Sequence, residues 1–222
     1  MANTKTVRIT GKGNLKVRPD MTRITITLSG LDEEYGKALQ HSAEDTKTLA
    51  KCLKKLDFKR SDLKTLHFSV DTKYESYTEK DLCRTNYKRR FIGYSFIHKL
   101  KIEFESDDKR LGKILYALAN MSLHPEFTIS YTVKDPEAVK NTLLANAVKD
   151  AKTKAQILAD AAEVKLGSIS SIDYSWHEID FEIAPLDRFC QTAAAPSASF
   201  NMDIEPDDIE VSDTVTIVWE IS

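Results

Sequence analysis

The 222-residue chain carries 34 acidic and 32 basic side chains, which leaves a formal net charge of −2. A balance this close does not require an anionic partner such as a nucleic acid or a membrane surface. The length allows a substantial buried core. The sequence has no run of 18 apolar residues, so membrane insertion is not expected.

The first half of the chain predicts two strands, a helix and two further strands. Thr6 to Arg18 and Met21 to Leu31 alternate apolar and polar residues, and Pro19-Asp20 forms a turn between them. From Tyr35 to Leu56 the apolar spacing changes to three and four residues, which indicates an amphipathic helix. Two strands follow, Leu63 to Tyr74 and Ile92 to Phe104, and we interpret the stretch between them as a hairpin connection.

The second half predicts two helices and three strands. The first helix follows a cap at Asp107 or Asp108 and reaches Asn120. The second starts at Asp135-Pro136, an acceptor followed by proline at the first helical position, and runs to about Val164. Its inner stripe is rich in alanine, which predicts close packing. The three strands are Phe127 to Val133, Ile169 to Trp176 and Ile209 to Ile221.

The predicted order is therefore ββαββ-αβαββ. Hairpin-linked strands with helices between them favour an α+β fold, with an antiparallel or mixed sheet and helices packed on one side. Residues 177–208 show no period and contain AAAPSAS, which is typical of a loop. We expect one domain over residues 1–222 with a loop insertion at about 177–208.

The segment GKGNLKVRPD contains a G-x-G pair, Gly11 and Gly13, that could suggest a nucleotide site. A dinucleotide fingerprint needs a third glycine and a helix directly behind it. Here apolar and basic residues alternate up to Pro19, which is the pattern of a strand. Glycines inside a strand usually mark a bulge or a close backbone approach. We therefore expect a structural role and no bound cofactor.

Signatures of catalysis or metal binding are weak. The chain has no H-E-x-x-H or G-x-S-x-G motif, and its five histidines have no close-spaced partners of the kind that metal sites favour. His98 lies on the apolar face of its strand, where a hydrogen-bonded core residue is expected more often than a ligand or catalyst. We predict no enzyme activity, no catalytic residue and no metal.

The cysteines and the first residues bear on location. Cys52, Cys83 and Cys190 are odd in number and form no C-x-x-C pair. This argues against a disulfide framework or a zinc site and fits a reducing compartment. The opening MANTKTVRIT lacks the apolar stretch of a secretory signal. A cytoplasmic location is expected, although an exported chain without its leader would look the same.

The charge is unevenly distributed along the chain. Residues 173–222 carry 12 acidic side chains and one basic, a formal −11, and residues 1–172 carry a formal +9. Charge runs are often solvated faces, but an acidic segment can also meet a basic surface on its own or another subunit. The candidate interaction residues are the basic triplet Lys88, Arg89 and Arg90, and three loop phenylalanines, Phe181, Phe189 and Phe200.

Basic residues beside aromatics can also bind nucleic acid. The alternation places Tyr94 and Phe96 on the core face of their strand, which leaves few aromatic platforms. The overall acidity further disfavours this reading. We expect no nucleic-acid partner.

Several segments together resemble the SIMPL domain family. They are ITGKGNLKVRPD, SDLKTLHFSV, FIGYSFIHKLKIEF, the alanine-rich helix with its L-G turn, and the closing strand. Their order and spacing cover nearly the whole chain. One departure is Pro206-Asp207, where the family usually has Pro-Gly. The resemblance marks as structural signature residues Gly11, Gly13, Pro19, Asp20, Gly93, Tyr94 and Gly167.

The resemblance implies no established enzyme activity. It connects the chain with stress responses, cell-surface antigens and kinase signalling, with relatives that form large ring or shell oligomers, and with bacterial relatives that carry export signals. We expect a non-enzymatic, self-associating interaction protein, in a stress- or envelope-related role, whose protein partner the sequence does not name. The alternative is a small-molecule-binding protein or enzyme with a pocket between sheet and helices.

The segment around Gly11 and Gly13 should bind no nucleotide, because it lacks the third glycine and the helix start that cradle a pyrophosphate. Titration calorimetry with ATP, NAD and FAD tests this expectation. Micromolar binding that Gly13→Val abolishes would contradict it.

Overall fold

The computed structural model describes residues 5–81, 84–174, 179–183 and 205–222. Three helices and seven strands follow the predicted order, which confirms the α+β class. In chain order they are β1 (Thr6–Val17), β2 (Met21–Asp32), α1 (Tyr35–Lys54), β3 (Lys64–Asp81), β4 (Arg84–Glu105), α2 (Asp108–Ala119), β5 (Glu126–Thr132), α3 (Pro136–Ala161), β6 (Leu166–Asp173) and β7 (Ile209–Ile221).

The strands form two sheets where the sequence suggested one. One sheet has the order β1-β7-β6, and the other has the order β3-β4-β2-β5. The described residues divide into two compact units along the same line. Unit 1 contains β1, α3, β6 and β7, and unit 2 contains β2, α1, β3, β4, α2 and most of β5. That residues 1–222 act as one domain stays a prediction.

Unit 1 is organised around the contact between α3 and β1. A Cβ atom at Gly11 would lie 2.1 Å from the carbonyl oxygen of Ala147, and one at Gly13 would lie 2.2 Å from that of Leu143. Only glycine allows the helix backbone to approach this closely. The facing stripe Ala147, Ala151 and Ala155 is fully buried, which confirms its predicted close packing and explains the G-x-G pair as a packing surface.

The start of α3 is fixed by local contacts. The side chain of Asp135 accepts a hydrogen bond from the backbone N–H of Ala138 at 2.9 Å, and Pro136 occupies the first turn, as predicted. Farther along, Asp150 Oδ2 accepts a hydrogen bond from the backbone N–H of Lys12 at 2.7 Å. This second contact ties the helix to the outer edge of β1.

Unit 2 buries the α1 side of its sheet. Residues on β2 face their partners on β4 in the pairs Ile24 with Ile102 and Ile26 with Leu100, and all four are buried. Helix α1 covers these strands with Leu49 and Leu53, among other buried side chains. The predicted central position of β4 is confirmed, since it pairs with both β2 and β3.

The connection predicted between the strands after Tyr74 is wrong. Strand β3 continues to Asp81, and β4 begins at Arg84. Side chains on both faces of residues 74–78 and 87–91 are exposed, so the apolar and polar alternation that reveals a half-buried strand is absent.

Among the described residues, no helix is long and apolar enough to span a membrane.

Replacing Ala151 with Leu should lower the free energy of unfolding by about 1–3 kcal/mol, because the added carbons meet the β1 backbone at Gly11. The matched control is Ala161→Leu, on the exposed side of the same helix. Urea denaturation of both variants measures the difference. Equal stability of the two would show that the α3 to β1 contact tolerates expansion.

Candidate functional site

The outer halves of β3 and β4 form a two-stranded ribbon, defined here as residues 74–81 and 84–91. Strand β4 pairs with β2 only as far as Tyr94, which lies opposite Asp32. Beyond that point β3 and β4 pair only with each other in the described structure. The ribbon therefore extends past the four-stranded sheet of unit 2.

A backbone irregularity marks the base of the ribbon. The register shifts after Lys73, which lies opposite Gly93, so that Tyr74 lies opposite Phe91. Gly93 has φ 138°, and a Cβ atom there would lie 2.4 Å from the carbonyl oxygen of Asp32. Glycine is required here for both conformation and space, which gives this signature residue a structural explanation.

An aromatic ladder runs from α1 onto the ribbon; it consists of Tyr35, Tyr94, Phe91 and Tyr74. The successive ring centroids are 5.6, 5.3 and 5.7 Å apart, and each pair meets edge to face. The guanidinium of Arg89 lies 5.2 Å from the ring centre of Tyr74 and extends the ladder outward. Such contacts hold large side chains in defined positions.

The basic triplet is divided between the two faces of the ribbon. Arg89 lies on the ladder face, whereas Arg90 lies on the opposite face, where it forms a 2.9 Å ion pair with Glu75. Lys88 lies opposite Tyr77 on that second face. An exposed ion pair of this kind contributes little stability. The ladder face thus carries stacked aromatics with one cation, whereas the other face carries the Arg90–Glu75 ion pair beside Lys88 and Tyr77.

Burial of the ladder is incomplete. Tyr35, Tyr74 and Phe91 are each exposed over 43 to 51% of their area. Contiguous exposed aromatic surface in a folded chain commonly marks a contact site for another molecule. The sequence did not reveal the ladder because its members come from a helix and two strands.

Of the three loop phenylalanines, the structure describes Phe181 alone. Phe181 is 7% exposed and packs with Val133, Leu143 and Ile209 inside unit 1. The expectation that Phe181 has nothing to bury it is wrong, because its partners are distant in sequence. Phe189 and Phe200 lie outside the described residues.

The remaining signature residues make structural contacts. The backbone N–H of Asp20 donates to the carbonyl of Thr132 at 3.2 Å, and its Oδ1 accepts from the backbone N–H of Lys134 at 2.7 Å. These bonds hold the turn after Pro19 against the segment that precedes α3. A Cβ atom at Gly167 would lie 3.0 Å from the carbonyl oxygen of Glu220, so β6 packs tightly on β7 there.

His98 is surrounded by hydroxyl groups. Its Nδ1 lies 3.2 Å from Thr46 Oγ1 and 3.3 Å from Ser42 Oγ, and its Nε2 lies 3.0 Å from Thr65 Oγ1. The Thr46 hydroxyl donates to the Ser42 carbonyl at 2.8 Å, so toward His98 it can act as an acceptor. Burial, with a smaller effect from Arg60, lowers the pKa of His98. These contacts fit the predicted hydrogen-bonded core residue.

A second histidine cluster was not predicted. His41 Nδ1 lies 3.0 Å from Asp32 Oδ2, and its Nε2 lies 3.6 Å from Asp45 Oδ2. The two carboxylates contact opposite sides of the imidazole and do not converge on one point. In the residues the structure covers, no group of three His, Cys, Asp or Glu side chains could hold a metal ion. The sequence signal for this cluster was the four-residue spacing of His41 and Asp45, which places both side chains on one face of α1.

Comparison with known proteins identifies relatives along nearly the whole chain. Residues 7–219 match the family SIMPL, described as "Protein of unknown function (DUF541)". The "26 kDa periplasmic immunogenic protein" of Brucella melitensis biotype 1 is 27% identical over 217 residues, which cover 97% of this chain and 84% of the relative. The "Uncharacterized protein YggE" of Escherichia coli K12 is 21% identical over 211 residues, covering 95% and 81%. That of Edwardsiella ictaluri is 24% identical, covering 96% and 85%.

The lowered pKa of His98 predicts a pH-dependent stability. The unfolded chain, with His98 near its ordinary pKa of 6.5, binds the proton more readily than the folded chain. The free energy of unfolding should therefore fall as pH drops through 6.5 toward the folded pKa. The urea midpoint of His98→Gln should fall less between about pH 7.5 and about pH 5.5 than that of the unsubstituted protein. His67→Gln, at an exposed position of β3, is the control, and equal slopes for both variants would refute the assignment.

Proposed function

The chain belongs to the SIMPL family, and from that membership and its surface we propose that it is a non-enzymatic, self-associating interaction protein. The observation that carries this proposal is the aromatic ladder on the ribbon. The ladder presents three large, substantially exposed rings, of which Tyr74 and Phe91 lie on a strand pair that extends past its sheet and Tyr35 lies at the start of α1. We propose that the ladder face is covered by another copy of the chain.

Two physical effects favour association through the ladder: the rings lose contact with water, and their side chains lose little freedom. Tyrosine and phenylalanine supply much of the binding energy of protein interfaces, because they bury large areas at a low cost in side-chain entropy. In the ladder each ring already touches a neighbour, so less freedom remains to be lost on association. Arg89 stacks on Tyr74 at the end of the ladder, where it would form a polar rim around the apolar contact.

Charge supports the choice of a second copy as the partner. The sequence between Lys80 and Lys101 has seven basic residues and one acidic residue, whereas residues 173–222 carry a formal −11. We propose that the acidic C-terminal segment of one copy meets the basic segment between Lys80 and Lys101 of another. Opposite charges of this kind steer association and are screened by salt. Phe181 is excluded as an anchor because it is buried.

The alternative, a small-molecule-binding protein or an enzyme, depended on His98 lying in a deep pocket beside an acid. Its ring nitrogens instead contact the hydroxyls of Ser42, Thr46 and Thr65. A histidine whose nitrogens contact hydroxyl groups between a helix and a sheet fits a structural role in holding the helix on the sheet. We therefore retain the interaction protein as the proposal.

The relatives also bear on where the protein acts. The Brucella relatives are named periplasmic proteins. Their names favour export of this chain over the cytoplasmic location expected from its first residues. We propose an extracytoplasmic role in which the protein contacts itself and an unidentified protein partner.

Substituting both Tyr74 and Phe91 with Ser should reduce self-association, because it removes the apolar contact of the ladder. The matched control replaces Tyr116 and Phe127 with Ser; these aromatics are 38% and 39% exposed, against 46% and 43% in the ladder. Light scattering at about 50 µM, within the usual range of weak complexes, compares the masses at low and high salt.

We expect the unsubstituted chain and the control variant to form an oligomer and the ladder variant to be monomeric. The oligomer should be weaker at high salt than at low salt. Circular dichroism confirms that each variant is folded. A monomeric unsubstituted chain at this concentration would overturn self-association. If the ladder variant forms the same oligomer as the unsubstituted chain, the ribbon is not part of the interface.

A further inference from the structure

The sheet of unit 1 has two edge strands, because β7 lies between β1 and β6. Each edge strand presents backbone N–H and C=O groups along one side. Folded proteins usually block such edges with charged side chains, prolines, bulges or a covering element, since an open edge can pair with a strand of another chain. The two edges of this sheet differ in this respect.

The β1 edge is blocked. The backbone N–H of Lys12 donates to Asp150 Oδ2 of α3 at 2.7 Å, and Lys154 pairs with the same carboxylate at 2.7 Å. Strand β1 also carries Arg8, Lys12 and Lys16 on one face, and lysine is a common guard on natural edge strands. A side chain from the helix thus occupies the position that an added strand would need.

Among the described residues the β6 edge is less protected, because it has register shifts on both sides of Ile169 but little charge. Asp173, its last residue, is the only charged residue from Leu166 to Asp173, and the strand contains no proline. Ile169 and Ile172 are 51% and 57% exposed. Two isoleucines exposed to this extent on one eight-residue edge strand form an apolar strip.

The exposure has a geometric cause. Ile169 lies opposite Trp219 and Ile172 lies opposite Ile217, so both isoleucines occupy the face of the sheet on which α3 packs. Trp219 and Ile217 are buried because α3 covers β1 and β7. The helix makes only slight contact with β6, where Leu166 packs against its alanine stripe. Register shifts on both sides of Ile169 place Leu166, opposite Ile221, on that same face.

We infer that the free edge of β6 pairs antiparallel with the β6 strand of a second copy, with Ile169 opposite its own counterpart. This inference rests on the proposed self-association and assigns it a second surface, apart from the ladder. A strand is self-complementary under a two-fold axis when its sequence matches itself in reverse. The β6 segment meets that condition in charge as well as in apolar character.

The register follows from centring the pair on Ile169. Ile172 of one copy then lies opposite Leu166 of the other, and Asp173 lies opposite Lys165, which directly precedes the strand. At each end of the strand pair, an apolar residue therefore faces an apolar residue and an acidic residue faces a basic one. Within the described part of the chain, neither Lys165 nor Asp173 has a side-chain ion pair. Directly opposed residues of opposite charge stabilise antiparallel strands.

The first test is sedimentation velocity of the full chain with Ile169→Lys. This substitution places two lysines opposite each other at the two-fold axis and should weaken the β6 contact about tenfold or more. The control is Ile157→Lys on α3, whose isoleucine is 61% exposed. It should leave the association unchanged.

The second test is a charge exchange. Lys165→Asp alone and Asp173→Lys alone should each weaken association, since each places like charges opposite each other. The double variant restores opposite charges in the same register and should recover the association. Recovery distinguishes direct pairing from a general loss of stability, and it decides the matter if Ile169→Lys proves unfolded by circular dichroism.

The outcomes separate this inference from the proposed function. If the unsubstituted chain is monomeric, both fail. If it associates, but Ile169→Lys behaves like Ile157→Lys or the charge exchange gives no recovery, the β6 pairing is wrong and self-association stands on the ladder alone.

Discussion

The contact between the α3 and β1 backbones is the constraint on which unit 1 depends. The absence of side chains at Gly11 and Gly13 lets the helix lie directly on the strand, where carbonyl oxygens of Leu143 and Ala147 occupy the space of the missing Cβ atoms. The alanine stripe is the matching surface on the helix. Because α3 is held against β1, it covers β7 and makes only slight contact with β6, so one packing contact shapes both the core and the exposed edge strand.

Unit 2 shows a second consequence of local backbone geometry. Gly93, with its positive φ, lies where β4 leaves β2 and continues with β3 alone. From this point no third strand lies beside them in the part of the chain that the structure describes. Aromatic side chains that would be core residues farther down the sheet become a partly exposed ladder on the ribbon. The transition from core to surface therefore occurs within one strand.

The two surfaces suggest how a chain without catalytic signatures could act. An aromatic ribbon and a sparsely charged strand edge are both means of contacting other chains, the first through apolar side chains and the second through backbone hydrogen bonds. By contrast, His98 is engaged with hydroxyls, and His41 is engaged with carboxylates on opposite sides of its ring.

The sequence determined the order of helices and strands, the start of α3 at Asp135, the buried alanine stripe and the hydrogen-bonded character of His98. Each depends on residues close together in the chain, whose spacing reflects the repeat of one helix or strand. The sequence could not show the ribbon, because strands exposed on both faces have no alternation. The burial of Phe181, the division into two sheets, the ladder and the exposed isoleucines of β6 were decided by tertiary structure. All four depend on which distant segments pack together, and the pattern within a segment does not record its neighbours in space.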